Sequence, residues 1–226
     1  PGWRAIQGQF KNLVAEKLGP EKVAAIRGDI RQIWMPELGR TDRCVTCHMG
    51  LEWKGLEEEV NPFATHPDSE LIQKHPFNRF GCTVCHGGQG YSTDVYGAHG
   101  WVNPREWDRV LMGSYIAEDY LISDRSAPIQ MKCNICHRYE KDTKGMEYLN
   151  KGKELLSKNG CRACHIINGR GGIIGPDLTY EGDKHPEEFG FDNVTGYASV
   201  FNWHIEHLKN AKSVVSTSIM PEYRFT

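Results

Sequence analysis

Apolar residues recur at helical spacing at both ends of the chain and nowhere settle into sustained alternation. Trp3, Ile6, Phe10, Leu13, Val14 and Leu18 fall on one stripe of a helix, and Gly19-Pro20 breaks it. Pro20 suits the first turn of a second helix, expected to bury Val23, Ile26, Ile30 and Ile33 before Pro36 stops it. From 40 to 138 the pattern fades. Gly81, Gly87, Gly88, Gly90, Gly97 and Gly100, with Pro62, Pro67 and Pro76, punctuate loop-rich sequence. One helix is expected there, from Pro104 through Trp107, Val110, Leu111 and Tyr115 to about Leu121. Periodicity returns with a helix over 145–158, ending at Asn159-Gly160, and another over about 199–210. The fold class is therefore mainly α with extensive loops. Its stretches are a helical arm over 1–39, a loop-rich module over 40–140 and a separate unit over 141–226. The arm either covers the module or reaches toward a membrane partner.

The 226 residues allow one or two domains. A formal charge of −2 with 25% charged residues points away from disorder and from polyanion binding. No run of about 18 apolar residues exists, so nothing in the chain reads as a transmembrane segment. The eight cysteines change the picture. They form four pairs of identical spacing, Cys44/Cys47, Cys82/Cys85, Cys133/Cys136 and Cys161/Cys164, each followed at once by a histidine: His48, His86, His137 and His165.

Two thiols three residues apart can add to the two vinyl groups of one haem, and the next residue then lies beneath the iron. Four-cysteine zinc sites give no reason for the following histidines. With 10 histidines in the chain, four such placements by chance come to roughly a few in a million. Adjacent C-x-x-C bridges belong to redox motifs rather than to structural disulfides. The spacing therefore predicts four haem c groups, with eight thioethers and four proximal histidines. Covalent haem attachment occurs outside the bacterial cytoplasm, so a periplasmic or other extracytoplasmic location is expected. The chain starts at Pro1 without a signal peptide and reads as a processed form, with an anchor upstream of Pro1 left open.

Six histidines remain: His66, His75, His99, His185, His204 and His207. The first three lie in the loop-rich module and match in number the sixth ligands that three haems need. Spacing does not pair them with irons, and Met112 and Met131 stay open for the third haem. His204 and His207 lie three apart on one helix face, which suits a structural role. The run Gly169 to Gly175 lacks the Lys-Ser/Thr ending of a phosphate loop.

The last 80 or so residues resemble a class I cytochrome c. The matching features are a helix, Cys161 to His165, Gly175-Pro176-Asp177-Leu178, a late helix and Met220-Pro221. The ending from Trp203 through Val214-Val215 to Tyr223 is similar to the monohaem subunit of bacterial high-affinity haem–copper oxidases. The resemblance implies Met220 as the ligand opposite His165, and a hydrogen bond from His165 to the Pro176 carbonyl. Met220 is also the only methionine after Cys164. Residues 40–138 resemble multihaem cytochromes of bacterial respiratory membrane complexes. That likeness rests on Ile33 to Leu38, Asp42-Arg43-Cys44, Pro62 to Pro67, His75-Pro76 and Phe80-Gly81-Cys82 through Gly90.

Six-coordinate irons leave no open site for a small substrate, so electron transfer without a catalytic site is expected. The implied partners are redox proteins, above all a quinol-oxidising or quinol-reducing membrane complex. Two other readings stay open: a peroxidase-like or oxyanion-reducing enzyme with one five-coordinate haem, and the protomer of an extracellular haem filament. Each ferric haem adds about −1, bringing the loaded protein to about −6, so a docking partner should present a basic face.

Overall fold

The N-terminal stripe becomes α1 (Gly2–Leu18), and Phe10 and Val14 on it are completely buried. In this computed structural model the described residues are 2–100, 111–113, 117–119, 121–184, 186–196 and 198–223. They fall into two compact units, Pro1–Trp101 and Val102–Thr226. The division lies within the 40–140 stretch, so the third C-x-x-C-H motif belongs to the second unit.

In the first unit α1 is part of the core. Phe10 and Val14 pack with Ile26, Met49 and Leu56, and the Phe10 ring meets Trp53 at 5.7 Å and Phe63 at 5.8 Å. Gln7, also on the buried face, donates to Asp29 O at 2.7 Å and Thr46 O at 3.0 Å. The helix is thereby fastened to the first motif, and its apolar face packs on Met49, Trp53, Leu56 and Phe63.

The second helix expected after Pro20 is not formed. A 3-10 turn over Pro20–Ala25 delivers Ile26 to the core, and the chain then runs extended. Ile30 is 48% exposed, and Ile33 begins strand β1 (Ile33–Met35). The cause is tertiary. Thr46 Oγ1 accepts from Arg31 N and donates to Arg31 O, both at 3.0 Å, taking up backbone groups a helix would need. β1 pairs antiparallel with β2 (Arg40–Asp42), Ile33 opposite Asp42 and Met35 opposite Arg40. Three-residue strands are too short to show alternation in sequence.

Short helices carry the rest of the unit: α2 (Ser69–Lys74), α3 (Phe77–Phe80), α4 (Thr83–His86) and α5 (Val95–His99). The second unit has α6 (Ala117–Asp119), α7 (Ser126–His137), α8 (Glu147–Lys158), α9 (Val200–Lys209) and α10 (Ala211–Val214). The helix expected from Pro104 falls mostly outside the described residues. Ser199 caps α9, its Oγ accepting from Asn202 N at 3.1 Å. The described part is thus mostly helical, with one two-stranded sheet. None of its helices is long and apolar enough to cross a membrane.

Phe10→Ala should lower the unfolding free energy of the first unit by about 3–5 kcal/mol. Ile30→Ala should change it by no more than about 0.5 kcal/mol. Denaturant titration of the loaded protein measures both, and a large cost at Ile30 would contradict the extended path.

Candidate haem centres

Three of the four motifs are single helical turns closed on their first cysteine. His48 N donates to Cys44 O at 2.9 Å, His86 N to Cys82 O at 2.9 Å and His165 N to Cys161 O at 3.0 Å. The third motif is the end of α7. Positions i, i+3 and i+4 of a turn share one face, so both sulfurs and the imidazole address the same side. No two of the eight cysteines are joined in a disulfide.

The eight cysteines are not equally covered: Cys136 is exposed, and the other seven, Cys85 among them, are half-buried. Cys85 lies in α4, half-buried, and its N–H donates to Cys82 O at 3.1 Å. Its partner Cys82 belongs to a tight polar cluster described below, and Cys85 stands outside it. Cys136 owes its exposure to the long helix that carries it. α7 turns Cys133 toward the segment before α8, its Sγ 3.6 Å from Met146 Sδ, and leaves Cys136 on the open side.

In the first unit two motifs meet at one buried carboxylate. Asp42, at the end of β2, is completely buried. Its Oδ1 accepts from Cys44 N at 3.0 Å, and its Oδ2 accepts from Cys82 N and Thr83 N, each at 2.8 Å. Burial pushes its carboxyl up, but hydrogen bonds from the Thr83 N–H, the Cys44 side chain and the N–H groups of Cys44 and Cys82 outweigh that and hold it below the ordinary carboxylate range. Gly90 passes close by, and a Cβ there would overlap Thr41 O. A carboxylate oxygen of Asp42 and the sulfurs of Cys44 and Cys82 lie within 4.8 Å of one another. Three amide donors already occupy the carboxylate, so these groups form a structural clamp rather than a metal cage.

The histidines pair crosswise around this clamp. The rings of His48 and His99 have centroids 6.3 Å apart, and those of His86 and His66 are 6.2 Å apart. Two imidazoles on opposite sides of one metal bring their centroids to about 6 Å, because each metal–nitrogen bond is about 2 Å. The spacing therefore fits an iron between each pair. His66 N donates to Leu51 O at 3.1 Å, in the loop after the first motif, yet its ring faces the second motif's histidine. His99 ends α5, which Gln89 N holds by donating to Ala98 O at 2.8 Å. That loop follows the second motif, yet His99 faces the first motif's histidine. Burial, with His99 and His86 nearby, pushes His48 down to about 4. Burial, then His66, lowers His86, and burial alone lowers His99. Neutral imidazole is the form that ligates a metal. His75 caps the end of α2, its Nδ1 3.2 Å from Leu71 O and its ring edge-on to Phe80 at 5.4 Å.

In the second unit His137 Nδ1 meets Glu140 Oε1 at 2.7 Å, the kind of carboxylate contact that orients an imidazole. Sequence reasoning missed Glu140, although its i+3 spacing on a helical end was readable. Arg138 fastens this motif to the last stretch, reaching Thr179 O at 3.1 Å and Asp183 Oδ2 at 2.6 Å. Met112 is buried, and Met131 is exposed on α7. Around the fourth motif, His165 Nδ1 donates to Pro176 O at 2.8 Å. The glycine-rich run wraps this motif instead of forming a phosphate loop. Gly172 N donates to Arg162 O at 2.9 Å, and a Cβ at Gly175 would overlap the His165 ring.

Residues 149–226 match the cytochrome c family. The C-terminal unit is class I cytochrome c-like, which implies c-type haem and electron transfer through it. No match was found among curated proteins or among solved structures.

Met220 follows α10, half-buried, its N–H donating to Ser218 Oγ at 3.2 Å. The segment it sits on returns to the fourth motif, where burial, then Cys161 and Cys164, raises the Tyr223 hydroxyl. His204 has structural partners, Val200 O at 2.7 Å from Nδ1 and Glu181 Oε1 at 3.3 Å from Nε2. His207 stacks on Trp203 at 4.6 Å. His185 lies outside the described residues.

Gly175→Ala should displace the His165 ring, changing the haem absorption of the C-terminal unit and costing about 1–3 kcal/mol. An unchanged spectrum and melting curve would contradict the contact. At Glu181, burial raises the carboxyl, but His204 and the Lys184 ammonium 2.7 Å away outweigh it and hold it at about 2. The folded value is depressed, so this stabilisation is complete above about pH 4.5 and lost as pH falls toward 2. Acid titration of Glu181→Gln should show a flatter loss of stability over that range.

Proposed function

We propose that the chain is an electron-transfer protein carrying four c-type haems, attached at the four C-x-x-C-H motifs. The thioethers fall on Cys44 and Cys47, Cys82 and Cys85, Cys133 and Cys136, and Cys161 and Cys164. The crossed pairing of His48 with His99 and of His86 with His66 carries this reading, because each pair joins a motif histidine to one from another loop. The pairs His48/His99 and His86/His66 would hold the irons of haems one and two. His137, backed by Glu140, holds the third haem from its proximal side. His165, oriented by Pro176, holds the fourth, with Met220 as the opposite ligand. His75 is kept as a sixth-ligand candidate, with no iron assigned to it. With filled positions the chain has no catalytic site of its own. When bound, the haems would supply one-electron exchange, and the chain's residues would attach and orient them.

The likeness of residues 40–138 to multihaem cytochromes supports a periplasmic subunit of a quinol-linked respiratory membrane complex. Methionine ligation raises a haem potential relative to histidine, so the fourth haem is the most oxidising. Electrons enter among the first three and leave at the fourth, toward a redox partner with a basic face.

The test is haem quantification and spectroscopy of the purified holoprotein. Four haems per chain and a wholly low-spin ferric spectrum are expected. His99→Ala and His66→Ala should each convert one haem to high spin and leave three unchanged. A resting high-spin haem, or no conversion in either variant, would overturn the assignment. A fourth haem with the lowest midpoint in a redox titration would reverse the direction of flow.

A further inference from the structure

Asp42 has more attached to it than a loop-capping residue requires. It is completely buried, and its oxygens accept backbone N–H groups from both attachment turns, Cys44 on one and Cys82 and Thr83 on the other. The two sulfurs nearest it, Cys44 and Cys82, start the two motifs and lie with its carboxylate inside a 4.8 Å cluster. Each sulfur takes one thioether bond to its own macrocycle, so the two macrocycles are anchored at nearly touching atoms. Asp42 is also in electrostatic reach of both motif histidines, His48 and His86. Both are half-buried and desolvated, so a charge acts on them with less screening than at the open surface.

We propose that Asp42 is a shared positioning residue that locks the first two haems into one closely spaced pair and lowers both of their reduction potentials. This rests on the reading that His48 and His86 ligate haem iron. The carboxylate stays ionised through the redox cycle. Its charge favours the ferric state, which carries one more positive charge than the ferrous state, at both irons together. One residue therefore sets spacing and potential at once, and the pair becomes the low-potential entry of the chain. Thr83 is the hinge of this device. Its N–H binds the carboxylate while its side chain packs in the interior beside Gly90.

A residue that only caps two turns would affect stability and leave potentials alone, so potentials are the deciding measurement. In the holoprotein, Asp42→Asn removes the charge at nearly constant shape. Two of the four midpoints should rise together, each by about a tenfold change in the oxidation equilibrium, about 59 mV for a one-electron centre. The other two should stay within error. A rise in one midpoint, in none or in all four overturns the proposal.

Haem quantification on the same sample separates the two levels. Fewer than four haems in the native protein would remove the underlying reading, whereas four haems with unmoved midpoints would remove only the role of Asp42. Should Asp42→Asn fail to load haem, the native protein still decides. With 13C-carboxyl aspartate, redox-difference infrared spectra should show one deuteration-insensitive carboxylate band shifting as the two lowest-potential centres are reduced. Absence of that band overturns the proposal.

Discussion

A single helical turn, closed by the histidine N–H on the carbonyl of the first cysteine, is the constraint on which the rest of this structure depends. It places two sulfurs and an imidazole on one side of the backbone, the arrangement a covalently attached haem requires. A turn this short has little stability of its own, because nucleating a helix costs more than one hydrogen bond returns. Each copy is therefore braced from outside. The first leans on α1 through Gln7 and Thr46, and the first and second share the Asp42 carboxylate. The third is the end of a longer helix secured by Arg138, and the fourth is wrapped by its glycine-rich loop.

The two units solve the same problem with different materials. The first has a small aliphatic and aromatic core under α1 and several four- to six-residue helices. Its interior near the motifs is polar, and a buried carboxylate is tolerated because backbone N–H groups of both attachment turns and the Cys44 side chain bond to it. The second unit uses longer helices and close backbone approach. Gly175 lets the chain lie against the His165 ring so that the Pro176 carbonyl can fix the imidazole's tautomer.

Much of the helical framework was readable. The stripe from Trp3 to Leu18, the helix ending at Asn159-Gly160 and the one after Ser199 all had periodicity and a cap or breaker. Residues 26–35 misled, since Ile26, Ile30 and Ile33 keep helical spacing while Thr46 draws Arg31 into an extended path. Local pattern carries no record of a hydrogen bond made to a residue fifteen positions away. Asp42 illustrates the same limit at the site. In sequence it is one acid before a motif, and only the fold brings Cys82 and Thr83 onto its other oxygen. The unequal exposure of Cys85 and Cys136 is a third case, because identical spacing cannot tell a short buried turn from the end of a long surface helix.

The sequence by itself determined the candidate attachment pattern: eight cysteines and four histidines in one spacing repeated four times, and a class I cytochrome c-like end. That information is local, because bonds within one turn depend only on neighbours in the chain. Which distal histidine faces which motif was decided only by tertiary structure, along with the grouping of the third motif with the fourth. His99 reaches His48 across more than fifty residues, and His66 crosses to His86. Those pairings depend on how β2 and the loops after each motif are pinned around one buried charge. No spacing along the chain encodes that.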